Sequence, residues 1–144
     1  MLNLLITLFA KIVCPSISVS ITDSENCYDH TQERIFINPY DLADFGFMRH
    51  LREVHECSFA DEFSYRLWAV LHEIGHYHTL DYCESDELLE RGFCALTDGK
   101  SPEVQDLYFN LESEWEATEW AMEYIENHRT FCKIFNKLIR EVKS

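Results

Sequence analysis

A mostly helical α+β domain with a small N-terminal antiparallel sheet is what three features of this 144-residue chain predict. It carries only four glycines and three prolines, too few turn residues for a loop-rich β scaffold. Its two alternating, β-branched runs, SISVSIT after Pro15 and RIFIN at 34–38, lie close together near the N-terminus and read as a pair of strands. From about Tyr40 onward, apolar residues recur at helical spacing almost to the end.

The elements follow in order. The opening MLNLLITLFAKIV has an apolar run broken by Lys11 and no basic residue ahead of it. Leu2, Leu5, Leu8, Phe9, Ile12 and Val13 share a helical face, so a structural helix is expected in place of a signal peptide. The run is far too short to span a bilayer. Polar DSENCYDHTQE between the strands reads as a loop. DLADFGFMRHLREVHEC (41–57) reads as a helix, FADEFSYRLWAVLHEIGHYHTL (59–80) as a longer one, and SDELLERGFCALT (85–97) as a weaker one. TDGKSPE is a break, with Ser101 as N-cap and Pro102 at the first helical position. A long helix is then expected from Pro102 to about Asn127, followed by an amphipathic one over TFCKIFNKLIREV. With no repeat and no linker, residues 1–144 form one domain.

Composition narrows the partners. Hydrophobic residues make up 47% of the chain, enough for a real core. The formal net charge of −14 excludes nucleic acid, whose phosphates need clustered Lys and Arg. No membrane partner is expected. The six cysteines are scattered without a CxxC pair, which favours buried free thiols in a reducing, cytoplasmic setting over a disulfide framework.

The chemistry is concentrated in LHEIGHYH. His72 and His76 are four apart, which on a helix stacks both imidazoles over one turn, within reach of a single cation. Neutral imidazole suits zinc. Glu73 sits about 100° further round the helix, beside such a site, where a carboxylate can take a proton from a metal-bound water. Phe63, Leu67, Val70, Leu71 and Ile74 form the opposite, apolar face. The neighbours of the histidines are Tyr65, Trp68, Ala69 and Gly75, not charged residues, so this helix is apolar nearly all round and therefore buried. Two buried histidines need partners; a shared metal satisfies both, as would separate hydrogen bonds in the core. Gly75 within a helix costs about 1 kcal/mol relative to Ala, which close approach of another helix would explain.

A catalytic zinc needs a third protein ligand. A His or Asp six residues past the second histidine is absent, because that position is Tyr82. In LESEWEATEWAMEYIEN, Glu112, Glu116, Glu119, Glu123 and Glu126 form one acidic stripe, with Leu107, Leu111, Ala117, Ala121 and Ile125 opposite. Glu114 falls out of phase, in the middle of the apolar side. An unpaired carboxylate there is costly; a metal, or a salt bridge to a buried Arg or His, relieves it. Ala117 and Ala121 would let this helix pack tightly against Gly75. His30, His50, His55 and His128 are expected at the surface. Tyr77, His78 and Tyr82 are near enough in sequence to serve an oxyanion, without an assignment.

The pairing of HEIGH with EWEATEWA resembles the ImmA/IrrE-type zinc metallopeptidases, whose second motif has the form E-x-[E/Q]-A-[N/D]-x-F-A. The resemblance covers roughly residues 33–125. It implies a zincin-like fold, Zn²⁺ held by His72, His76 and Glu114, and Glu73 as catalytic base. It further implies a protein or peptide substrate, with a repressor-type regulator of a phage or mobile element as the family's pattern. Thr118 stands where Asn or Asp is usual, the proline that often follows the second helix is missing, and no DNA-binding helix-turn-helix is fused. The alternative is a catalytically silent, zinc-stabilised module that sequesters a partner.

Overall fold

The computed structural model describes residues 1–41, 46–79 and 107–142. Helix α1 (Leu2–Val13) opens the chain. Three strands follow: β1 (Ser18–Ile21), β2 (Cys27–Asp29) and β3 (Arg34–Ile37). Next come α2 (Phe47–Glu53) and a 3₁₀ turn at Ala60–Glu62. Then come α3 (Tyr65–Thr79), α4 (Glu112–Asn127) and α5 (Arg129–Glu141). The mostly helical α+β class expected from the sequence is what forms. The weaker helix expected over 85–97 and the break at 97–103 lie outside the described residues.

The sheet differs from expectation in its pairing. It is mixed and three-stranded, in the order β1-β3-β2. β1 runs parallel to β3, with Val19 opposite Ile35 and Ile21 opposite Ile37. The antiparallel partner of β3 is β2, within the segment that reads as a loop. A local turn explains this. Asp29 Oδ1 accepts from the backbone N–H and hydroxyl of Thr31 at 2.9 and 2.6 Å, and Glu33 adopts a left-handed φ of 49°. The chain therefore reverses at once and β2 takes the antiparallel slot, which leaves β1 the parallel one. Polar side chains on β2 hid the strand, because a short edge strand has no buried face to impose alternation.

Helix α1 is structural, although its buried side is not the one the sequence suggested. Leu2, Ile6, Phe9 and Ala10 are buried, whereas Leu8 and Ile12 are 47% and 49% exposed. A helix that is apolar nearly all round leaves its orientation to the partners available. Here Phe9 stacks on Phe131 and tilts against Phe135 of α5 at 5.5 and 5.2 Å between centroids.

Two expected helices are shorter than their patterns. Of the described residues in the 41–57 pattern, only α2 is helical, and it begins after Gly46, which is left-handed (φ 84°). The 59–80 pattern breaks at Phe63, whose backbone is extended. α3 then starts beyond Ser64, whose hydroxyl accepts the Leu67 N–H at 3.4 Å, a capping arrangement. Asn136 of α5, itself buried, clamps this junction. Its Oδ1 accepts from the Ser64 N–H at 2.8 Å and its Nδ2 donates to the Glu62 carbonyl at 2.8 Å. The start of α3 is thus anchored by the C-terminal helix. No described helix is long and apolar enough to cross a membrane.

A candidate metal centre between two helices

Helix α3 is buried along most of its length, from Leu67 to Gly75. Val70, Leu71 and Ile74 pack into the core, and the histidine face is covered as well, with Trp68, Ala69 and Gly75 buried on it. What covers it is α4. A Cβ built on Gly75 would sit 2.6 Å from the Ala117 carbonyl oxygen and 3.0 Å from the Ala117 Cα. No other residue fits there without moving a backbone. Gly75, Ala117 and Ala121 therefore let the two helices approach closely, as the sequence predicted.

That approach brings Glu114 onto the histidines. Its Oε2 lies 2.6 Å from His72 Nε2 and its Oε1 lies 3.3 Å from His76 Nε2. The imidazole centroids are 4.9 Å apart with their planes at 86°. One ligating atom from each of the three residues falls within 4.8 Å of the others. His72 and Glu114 are buried and His76 is half-buried. Among the described residues this is the one such group. The donor set fits a divalent cation: two nitrogens, one carboxylate and little competing water.

Glu114 owes its place to a break in the chain. The expected helix from Pro102 to Asn127 is not continuous, because the helical stretch at 107–109 ends in a turn at Asn110 and Leu111 is extended. Residues 102–106 lie outside the described residues. α4 restarts at Glu112, so Glu114 occupies its first turn, where a negative charge meets the positive end of the helix dipole. The break also removes Leu107 from the α4 face; it is 54% exposed, not packed opposite the acidic stripe. Ala117, Ala121 and Ile125 are buried as expected, and Glu112, Glu119, Glu123 and Glu126 face solvent, with Glu116 half-buried.

The electrostatics separate the two buried carboxylates. Burial alone would raise the pKa of Glu114, but His76 and His72 outweigh it through charge and hydrogen bonding, and hold the group well below the usual carboxylate range. Glu73 goes the other way: burial raises its pKa, the two histidines offset part of this, and the charge of Glu114 adds to it. Glu73 thus lies buried beside the triad, feeling all three of its members, without belonging to the ligand group. Two carboxylates pushed apart in this way suit different roles, one ligating and one exchanging protons.

Two hydroxyls complete the site. Tyr108 donates to Glu114 Oε1 at 2.9 Å. Thr118, also buried, donates to the Glu114 carbonyl at 2.9 Å and contacts His72 Nδ1 at 3.2 Å. Phe47 of α2 packs edge-on against the His72 ring at 5.3 Å. Tyr108 carries no sequence signal, because the break at 110–111 destroys any periodic relation to Glu114.

Of the neighbours considered for an oxyanion, Tyr77 and His78 make contacts elsewhere. Tyr77 exchanges a hydrogen bond with Ser16 at 3.0 Å and meets Tyr28 edge-on at 6.3 Å. His78 is exposed and stacks on Trp120 at 4.7 Å. Tyr82 lies outside the described residues. His30 and His128 are at the surface as expected. His50 is not: it is fully buried, against Phe109 and Trp115. His55 is half-buried and lies over Trp115 at 4.0 Å. The aromatic side chains of 109 and 115, distant in sequence, cover these two histidines.

No protein-family model, curated protein or solved structure matches this chain. The reading of the site therefore rests on its own geometry and on the two motifs.

Proposed function

We propose that this protein is a zinc-dependent peptidase, with His72, His76 and Glu114 as ligands and Glu73 as general base. The observation that carries the proposal is the convergence of two imidazoles and one carboxylate from α3 and α4, beside a second buried carboxylate. A zinc ion in such a set supplies Lewis acidity, polarising a carbonyl and making water a competent nucleophile near neutral pH. Glu73, with its pKa raised by burial, is suited to take the proton from the attacking water and pass it to the departing amine. The motif resemblance supports a protein substrate of the repressor type. Elemental analysis tests the first half: wild type holds about one zinc per chain, and His72→Ala and Glu114→Ala lose it. Proteolysis of candidate protein substrates tests the second, and Glu73→Gln abolishes it while retaining zinc.

The burial of the triad favours one other reading. His72, Glu73 and Glu114 are each less than 10% exposed, which also suits a zinc that only holds α3 to α4 in a partner-binding module. Under that reading Glu73→Gln binds its partner as wild type does, and wild type cleaves nothing.

A further inference from the structure

The hydroxyl of Thr118 reaches two groups at once, and it has one proton to give. The Glu114 carbonyl can only accept, so the 2.9 Å contact requires that proton. The side of Thr118 Oγ1 that faces His72 Nδ1 at 3.2 Å is then lone pair. Both contacts are satisfied together only when Nδ1 carries a hydrogen and donates it to Thr118 Oγ1. The ring is thereby held with Nε2 toward the triad, 2.6 Å from the Glu114 carboxylate. Thr118 is 1% exposed, so water does not compete for either bond.

We infer that Thr118 is a positioning residue that holds the His72 ring through Nδ1 and so aims Nε2 at the site. The relay is internal to α4: the residue that holds His72 is itself fixed by the backbone of the ligand Glu114, four residues earlier. One helix thus supplies a ligand and orients the ligand of the neighbouring helix, so loss of the Thr118 hydroxyl loosens His72 without touching any donor atom. A neutral hydroxyl does this where the resembled motif places Asn or Asp. The inference rests on the metal half of the proposed function and not on proteolysis.

The test is zinc affinity, measured by competition with a chromophoric chelator, in wild type, Thr118→Val and Thr118→Ser. Valine keeps the shape and removes the hydroxyl; serine keeps the hydroxyl. Loss of such an outer hydrogen bond weakens binding by about 10–100-fold, and this is the result expected for Thr118→Val, with Thr118→Ser restoring most of the affinity. Rescue by serine is a readout that simple loss of packing would not give, because serine lacks the threonine methyl and keeps only the hydroxyl. Equal zinc affinity in wild type and Thr118→Val overturns the inference, and so does Thr118→Ser binding as weakly as Thr118→Val. A wild-type protein that takes up no zinc overturns the metal reading along with it.

Discussion

Glu114 sits where an unpaired carboxylate would be expelled, in an apolar helix face pressed against a second helix. Two imidazoles and the Tyr108 phenol keep it there and keep it ionised. The Tyr108 bond constrains one carboxylate oxygen, so Tyr108→Phe is expected to weaken zinc binding by about tenfold while leaving the fold intact, as read by competition titration and circular dichroism. Of the four described cysteines, three behave as buried hydrophobes, Cys14, Cys57 and Cys132, and Cys27 is exposed. Among these four, alkylation at neutral pH should modify Cys27 first, which peptide mapping by mass spectrometry would show. Burial pushes the Cys132 thiol up from 9.0 to about 11. Below pH 9 the thiol is protonated in both folded and unfolded chains. From about 9 to 11 the unfolded chain ionises first, so stability falls as pH rises through that window. Urea midpoints against pH should show this fall, with a shallower slope in Cys132→Ala. At this scale the sequence revealed Glu114, because it broke the rhythm of its neighbours, but not Tyr108 or the burial of His50, which depend on distant packing.

At the scale of elements, the spacing of α3 and α4 controls the site. Gly75→Ala places a methyl within 2.6 Å of a backbone oxygen, so one helix must shift. Such overpacking costs about 1–3 kcal/mol, and the shift also draws Glu114 away from the imidazoles. Urea denaturation and zinc titration of the same variant should therefore both report a loss. Helix α1 is tied in by Phe9, which is fully buried against Phe131 and Phe135. Phe9→Ala is expected to cost about 3–5 kcal/mol, measurable by the same denaturation. The α3–α4 contact was foreseeable from small residues facing small residues. The parallel pairing of β1 with β3 was not, because a three-residue strand with polar side chains offers no periodicity to read.

Across the whole molecule, the candidate centre joins His72 to Glu114, 42 residues along the chain, so occupation of the site and stability are linked. A ligand that binds only the folded state, present at about 100 times its Kd, adds about 2.7 kcal/mol to stability. Thermal unfolding with zinc and with a chelator should differ accordingly, and His72→Ala should abolish the difference.

The scarcity of Gly and Pro and the helical spacing of apolar residues were sufficient to predict a mostly helical fold, and the HExxH spacing, the odd phase of Glu114 and the small residues at 75, 117 and 121 to name the three members of the triad. These are local facts: a helix converts sequence interval into angle, so the chain itself states which side chains share a face. What the tertiary structure alone decided is how those faces meet. It placed the start of α4 at Glu112, paired β3 with two strands of opposite sense, turned α1 onto Phe131 and Phe135, and supplied Thr118 and Tyr108 with their partners. Each of these depends on contacts between residues far apart in the chain, and packing between such residues has no period that a sequence can display.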